Sequence, residues 1–123
     1  MTRNTRQRRV IRDVLAEAAR PLATEEILAA AQARVAGLGI ATVYRTVRVL
    51  VDEGWLEVVG LPGSAPRYEV AGKGHHHHFH CRQCGRLFEI EGCLENLKRL
   101  VPAGFQVTDH DVLLTGSCAA CGE

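Results

Sequence analysis

A chain of 123 residues, 46% hydrophobic and 24% charged, has the composition of a folded globular protein: one ordinary domain or two very small ones. Six aromatic residues leave two separate cores thin, and domains that small draw stability from a metal, disulfides or a partner subunit. The longest apolar runs, such as Val49 to Val51, fall far short of the ~20 residues that span a bilayer. The N-terminal Met-Thr-Arg-Asn-Thr-Arg-Gln-Arg-Arg lacks an apolar signal core, so the expectation is a cytoplasmic protein with no membrane partner. In that compartment five cysteines point to metal or redox chemistry rather than disulfide stapling. The net charge of +1 conceals an asymmetry: Met1 to Val51 carries nine arginines against four acids, a net +5, and the remainder carries a net −4. All six histidines and all five cysteines lie in the acidic part. A basic front and an acidic, ligand-rich back predict two modules, one for a polyanion and one for a cation.

Apolar Val10, Ile11, Val14, Leu15 and Ala18 are spaced as one face of a first helix over about Arg6 to Ala18, and Pro21 ends it. Five arginines crowd its start and oppose the helix macrodipole, a local cost that a polyanionic partner would explain. Thr24 reads as the N-cap of a second helix running to about Val35, with Glu25 and Glu26 in its first turn. A third helix runs from about Ala41 to Glu53, and Gly54 stops it. Two strand-like runs follow, Trp55 to Val59 and Arg67 to Val70, separated by a turn-rich connection over 60–66. Three short helices and a hairpin make a winged helix-turn-helix pattern. Beyond a Gly-Lys-Gly hinge, the pattern predicts strands near His76 to Cys81, Leu87 to Ile90 and Asp111 to Thr115, with a helix near Leu94 to Val101. The expected fold is therefore α+β: a winged-helix DNA-binding domain over 1–70, a hinge over 71–75, and a small α/β metal-binding domain over 76–123.

At 100° per residue, the third helix turns Val43, Thr46, Val47, Leu50 and Val51 to one side, and Ala41, Arg45, Arg48 and Asp52 to the other. Two arginines and a small residue on a free face suit a helix that enters the major groove, where arginine reads guanine bidentately. A merely solvated face would also carry arginines, but the preceding helix, the hairpin and the Arg-rich start favour DNA.

Cys81-Arg-Gln-Cys84 and Cys118-Ala-Ala-Cys121 are two knuckles, each followed by a glycine that permits a tight turn. Four thiolates from two knuckles make a closed tetrahedral zinc site, one zinc per chain, able to supply folding energy that a small core lacks. Cys93 is left over and reads as a small apolar residue or spare thiol. The run His75-His76-His77-His78-Phe79-His80 leads into Cys81; as a strand it turns His76, His78 and His80 to one face and His75 and His77 to the other, serving two sites. Glu57, Glu69, Glu95 and His110 are available to complete them.

A basic winged helix, Thr42-Val-Tyr-Arg45, the histidine run and the two spaced knuckles together resemble the ferric uptake regulator family of metal-sensing repressors, over nearly the whole chain. The resemblance implies a homodimer whose C-terminal domain dimerises and whose hinge metal sets the separation of two DNA-reading helices. It implies DNA contacts from Tyr44 and Arg45, with Thr42 of the same motif, to which the free helix face adds Arg48 and the basic start adds Arg9. It also implies structural zinc on Cys81, Cys84, Cys118 and Cys121, a regulatory site of His76 and His78 with Glu57 or Glu69, and an additional site of His75, His77, Glu95 and His110. The run His-His-His-His-x-x-Cys-Arg-x-Cys-Gly is most similar to the zinc uptake regulators, and Glu57 matches a hinge carboxylate they use. Glu69 matches the iron-sensing branch, but that branch adds a histidine from the N-terminal domain, and here none precedes His75. Peroxide sensors use an aspartate-rich iron site, and no aspartate lies between Glu53 and Cys81.

The expected function is therefore a metal-responsive repressor of metal-uptake genes acting on an inverted-repeat operator, with zinc as the sensed ion and Fe2+ or Mn2+ as the alternatives. Its only small ligands would be metal ions. A zinc hydrolase would need a positioned general base that the sequence does not offer; a zinc-storage or metallochaperone protein would not need Arg45 and Arg48 on a free helix face.

Overall fold

A computed structural model describes residues 3–93 and 96–122. The chain divides into two compact units, Met1–Lys73 and Gly74–Glu123. In the first, α1 (Arg3–Glu17), α2 (Thr24–Gln32) and α3 (Ile40–Asp52) precede an antiparallel hairpin of β1 (Leu56–Leu61) and β2 (Ser64–Val70). Ile11, Val14 and Leu15 of α1, Ile27 and Ala31 of α2, and Val43, Val47 and Leu50 of α3 meet in one core, closed by Leu22, Leu38 and Leu56. Each fully buried Leu, Ile or Val there contributes about 1.5–3 kcal/mol over an exposed one. No helix of the described residues is long and apolar enough to cross a membrane.

Two local expectations change. Thr24 is not the cap: it is the first residue of α2 and is buried, and Ala23, with extended backbone, holds the cap position. The Glu26 carboxylate accepts the Ala23 N–H at 3.0 Å, the reciprocal half of a capping box. The start of α2 is set from outside the helix, because Leu22 exchanges two backbone hydrogen bonds of 2.9 Å with Tyr68 of β2. The turn-rich connection over 60–66 is mostly strand, with β1 running to Leu61 and β2 starting at Ser64. Only Pro62 and Gly63 turn, Gly63 at φ 70°, and a register shift between Val59 and Leu61 absorbs the irregularity. Arg67 is kept inside by the Ala65 carbonyl and Ser64 Oγ, to which it donates.

The second unit is a three-stranded sheet of order β4-β3-β5, with β3 (His77–Cys81) antiparallel to β4 (Leu87–Ile90) and parallel to β5 (Leu113–Gly116). Of the helix expected near Leu94 to Val101, Leu94 and Glu95 lie outside the described residues, and the rest holds one 3-10 turn, Leu97–Leu100. Asn96 is left-handed at φ 61°, and Val101 is extended at φ −109°, as the residue before Pro102 tends to be. Four residues between those two points close i+3 bonds (Arg99 N–H to Asn96 O, Val101 N–H to Lys98 O) but no α-helical turn continues. The last strand also begins later than Asp111, at Leu113. Among the described residues this unit buries few apolar side chains, chiefly Cys81 and Leu87, and it buries His77 and His78 beside them.

Candidate metal centres and nucleic-acid interface

The inward face of α3 is the one its periodicity predicts: Val43, Thr46, Val47 and Leu50 are buried, Val51 is half-buried, and Arg45 and Arg48 are exposed. Arg45 Nη2 donates to Thr42 Oγ1 at 3.2 Å, one helical turn back, which orders the guanidinium on the free face. Tyr44 is 54% exposed and stands beside them. Arg8, Arg9 and Arg12 of α1 join Thr42, Arg45 and Arg48 around an open cleft of about 620 Å³. Arg12 lies over the Trp55 ring, 4.5 Å from its centroid, and is steadied by the ring quadrupole. Five guanidinium groups converging on one concave surface make a field that attracts phosphate. The first turn of α1 carries no acid to balance them. Sequence reasoning singled out Arg9 but not Arg8 and Arg12, which share its cleft.

The two knuckles meet because β5 runs parallel to β3 and sets Cys81 opposite Gly116, two residues before Cys118. The Arg82 N–H donates to Gly116 O at 2.8 Å and extends that pairing. All four sulfurs lie within 4.8 Å of one another, with Cys84 Sγ 3.9 Å from Cys118 Sγ. A zinc tetrahedron with metal–sulfur bonds near 2.3 Å has sulfur–sulfur edges of about 3.8 Å, so the donor set fits that ion. Cys81 Sγ accepts backbone N–H bonds from Cys84 (3.4 Å) and Cys118 (3.3 Å). Those two donors, Cys84 first, pull the Cys81 thiol down to about 6, favouring the thiolate that a metal requires. Cys121 is pushed up to about 12, first by its hydrogen bond with the Cys118 sulfur and then by burial. The pair of shifts describes thiols sharing protons where four negative charges would otherwise crowd. Both glycines after the knuckles are required: Gly85 sits at φ 78°, and a Cβ on Gly122 would lie 2.7 Å from Cys118 O.

Alternation along the histidine run brings two pairs together. The His76 and His78 rings are 4.8 Å apart, and the His75 and His77 rings 4.5 Å apart. His76 Nδ1 lies 2.9 Å from Gly74 O; donating there leaves Nε2 as the ring's acceptor, and Glu89 Oε1 is 3.9 Å from it. Glu89 was not among the carboxylates singled out in the sequence; its pairing with His78 across β3 and β4 is what brings it near. In the hairpin, Glu57 and Glu69 are directly opposite, Glu57 exposed and Glu69 buried.

On the other face, His75 and His77 meet His110, and the fourth member is Cys93. Cys93 is therefore not a spare thiol: its Sγ is 2.7 Å from His110 Nε2, 3.3 Å from His77 Nε2 and 3.5 Å from His75 Nε2. The leftover cysteine in a chain whose other four pair off was the signal available for it. Glu95, expected in this group, lies outside the described residues. Burial, then the neighbouring His75 and His110, push the His77 pKa below its usual value and hold the ring neutral, the form that binds metal.

Comparison with known proteins bears on all three features. The sequence profile of the ferric uptake regulator family matches residues 1–115. The ferric uptake regulation protein of Helicobacter pylori (strain ATCC 700392 / 26695) is 31% identical over 98% of this chain and 83% of its own length. That of Campylobacter jejuni is 36% identical over 68% of this chain, and the match spans only about half, 55%, of that relative. Among solved structures, a zinc-bound manganese uptake regulator superposes with a TM-score of 0.79 at 28% identity, over 91% of this chain and 87% of its own. On the match to most of its length, the chain belongs to the ferric uptake regulator family.

Proposed function

We propose that this chain is a dimeric, cytoplasmic, metal-dependent repressor of transcription that binds an inverted-repeat operator when zinc is abundant. The observation that carries the reading is the convergence of arginines from α1 and α3 on one cleft of a winged-helix unit, in a chain that also gathers thiols and imidazoles into dense clusters. Tyr44, Arg45 and Arg48, with Thr42, read the major groove, and Arg9 holds phosphate. Cys81, Cys84, Cys118 and Cys121 hold one structural zinc. The sensed ion takes His76 and His78, together with Glu57 or Glu69 of the hairpin. Directly opposed carboxylates such as Glu57 and Glu69 repel each other across a hairpin, and a cation relieves that repulsion. Ligands drawn from both units make the DNA-competent geometry more populated when metal is bound, a coupling between ion and operator.

A second copy of the chain covers the apolar side chains that the second unit leaves exposed, Leu100 (79%), Phe105 (67%) and Leu114 (50%) among them. Zinc is favoured over Fe2+ because no histidine precedes His75 to complete an iron-type site, and the histidine run that leads into Cys81 supports zinc over Mn2+. Affinity order alone does not decide it, since nitrogen and oxygen donors accept several divalent ions.

The test is selection of bound sequences from a pool of random duplexes at buffered free zinc, followed by titration of the winner with zinc, iron and manganese. Zinc should enrich a palindrome bound by two protomers. Enrichment that needs no metal, or metal binding with no enrichment, overturns the reading; activation by iron or manganese at lower free concentration than zinc overturns only the choice of ion.

A further inference from the structure

Four separated points of the second unit put a nitrogen or sulfur at one place. His75 precedes β3, His77 opens it, Cys93 lies three residues past β4, and His110 lies three residues ahead of β5. The four donor atoms lie within 4.8 Å of one another. Besides the three Cys93 contacts of 2.7, 3.3 and 3.5 Å, His75 Nε2 is 3.0 Å from His110 Nε2. A tetrahedron with metal–nitrogen bonds near 2.05 Å and a metal–sulfur bond near 2.3 Å has nitrogen–nitrogen edges of about 3.3 Å and nitrogen–sulfur edges of about 3.5 Å. Three of the measured edges come within about 0.4 Å of that figure; the Cys93–His110 edge opens by about 0.8 Å to match it.

The surroundings of His77 fix its tautomer. Its Nδ1 accepts the Val112 N–H at 3.1 Å, and Asp111 Oδ1 is 3.9 Å from the same nitrogen. In that tautomer the Nε2–H points toward Cys93 Sγ, 3.3 Å away; a cation that takes its place moves the ring proton to Nδ1 and replaces the Val112 bond.

The resemblance already implies a metal on His75, His77 and His110 with a carboxylate; we propose that in this chain the Cys93 thiolate, and not Glu95, is the fourth ligand, closing a four-coordinate site for a borderline-soft divalent cation of the zinc or cobalt type and setting its selectivity. The thiol proton leaves to solvent as the metal binds. Thiolate in place of a carboxylate shifts preference away from Fe2+ and Mn2+. With four protein ligands there is no open position, so the role is to clamp rather than to catalyse. The four-cysteine cluster ties the end of β3 to the segment after β5; this second cluster ties the start of β3 to the exit of β4 and the approach to β5. A five-residue central strand is then held at both ends, in a unit with little apolar core. The proposal extends the metal-dependent reading above, but it needs residues of the second unit alone.

The test uses full-length protein that keeps zinc on its four cysteines, titrated with Co2+ while released zinc is monitored. Wild type should take up cobalt at the hinge sensor and at this site, and this site alone should add thiolate-to-cobalt charge transfer in the near ultraviolet, without release of zinc. Cys93→Ser should lose the charge-transfer band. Glu95→Gln should keep it. No thiolate band in wild type, the same band in Cys93→Ser, or its loss in Glu95→Gln overturns the proposal. His78→Ala separates this site from the hinge sensor: it should keep the thiolate-to-cobalt band while losing metal-activated operator binding. An operator response that survives in His78→Ala defeats the hinge reading and leaves this site standing.

Discussion

The two units solve the same problem of stability by different means. The first gathers apolar side chains from three helices and a hairpin into one core, with Ile11, Ile27, Ala31 and Val43 completely removed from solvent. The second has strands of four and five residues, and its buried positions are held largely by donors: Cys81, His77 and His78, with Leu87 as the apolar exception of note. Hydrophobic burial stabilises a unit in proportion to area and needs no cofactor, whereas a sheet this small depends on bonds to a metal or on a partner. The difference suits a sensor. On the proposed function, the unit that would read DNA rests on apolar burial, which needs no metal, and the unit that would respond to metal is built around the ligands themselves.

The sharpest way to break that comparison is to disable the proposed zinc site on the four cysteines. Cys84→Ser or Cys121→Ser should release one zinc per chain and unfold the second unit, because structural zinc is worth about 10–16 kcal/mol against a domain stability of about 5–15 kcal/mol. Zinc content, protease sensitivity beyond residue 74 and helical circular dichroism read this together; helices of the first unit that melt along with the sheet would show that the two units do not differ in this way. The converse is Ile27→Ala, which should cost the first unit about 2–5 kcal/mol by leaving a cavity at a fully buried site. Its zinc content should stay unchanged. Arg45→Ala tests surface rather than stability: specific operator affinity should fall by about 1–3 kcal/mol if it reads a base edge, with thermal stability and zinc content as in wild type. Fluorescence anisotropy at two salt concentrations separates base reading from phosphate contact, and an unchanged affinity removes Arg45 from the interface. The smallest effect is expected at Glu26, which is bonded to Ala23 N and lies 2.6 Å from Arg20. Glu26→Gln keeps an acceptor for the cap and loses a partly solvated ion pair, so denaturant unfolding should shift by under about 1 kcal/mol. A larger loss would mean that the 4.0 Å approach of Arg67 to Glu26 matters more to the hairpin than its length suggests.

Much was legible in the chain because the relevant signals are periodic and local. Helical spacing alone separates Val43, Thr46, Val47 and Leu50 from Arg45 and Arg48, since the geometry of a helix assigns faces once its span is known. Strand alternation likewise separates His75 and His77 from His76 and His78, because successive side chains leave opposite faces of a pleated strand. Cysteine pairs with zinc-knuckle spacing announce each other across 33 intervening residues, from Cys84 to Cys118, because only that ligand chemistry makes use of both. Other features needed the chain's far contacts. Thr24 has the chemistry of a cap, yet the pairing of Leu22 with Tyr68 shifts the cap to Ala23 and turns Thr24 inward. The segment before Pro102 has helical composition, yet left-handed Asn96 and extended Val101 leave room for one 3-10 turn. Cys93 carries no motif at all; its place beside His75, His77 and His110 exists only once β3 lies between β4 and β5. A residue's own type and spacing can specify which face it takes within its element, but which residue from elsewhere stands opposite it is decided by strand order and register, and those are properties of the folded sheet.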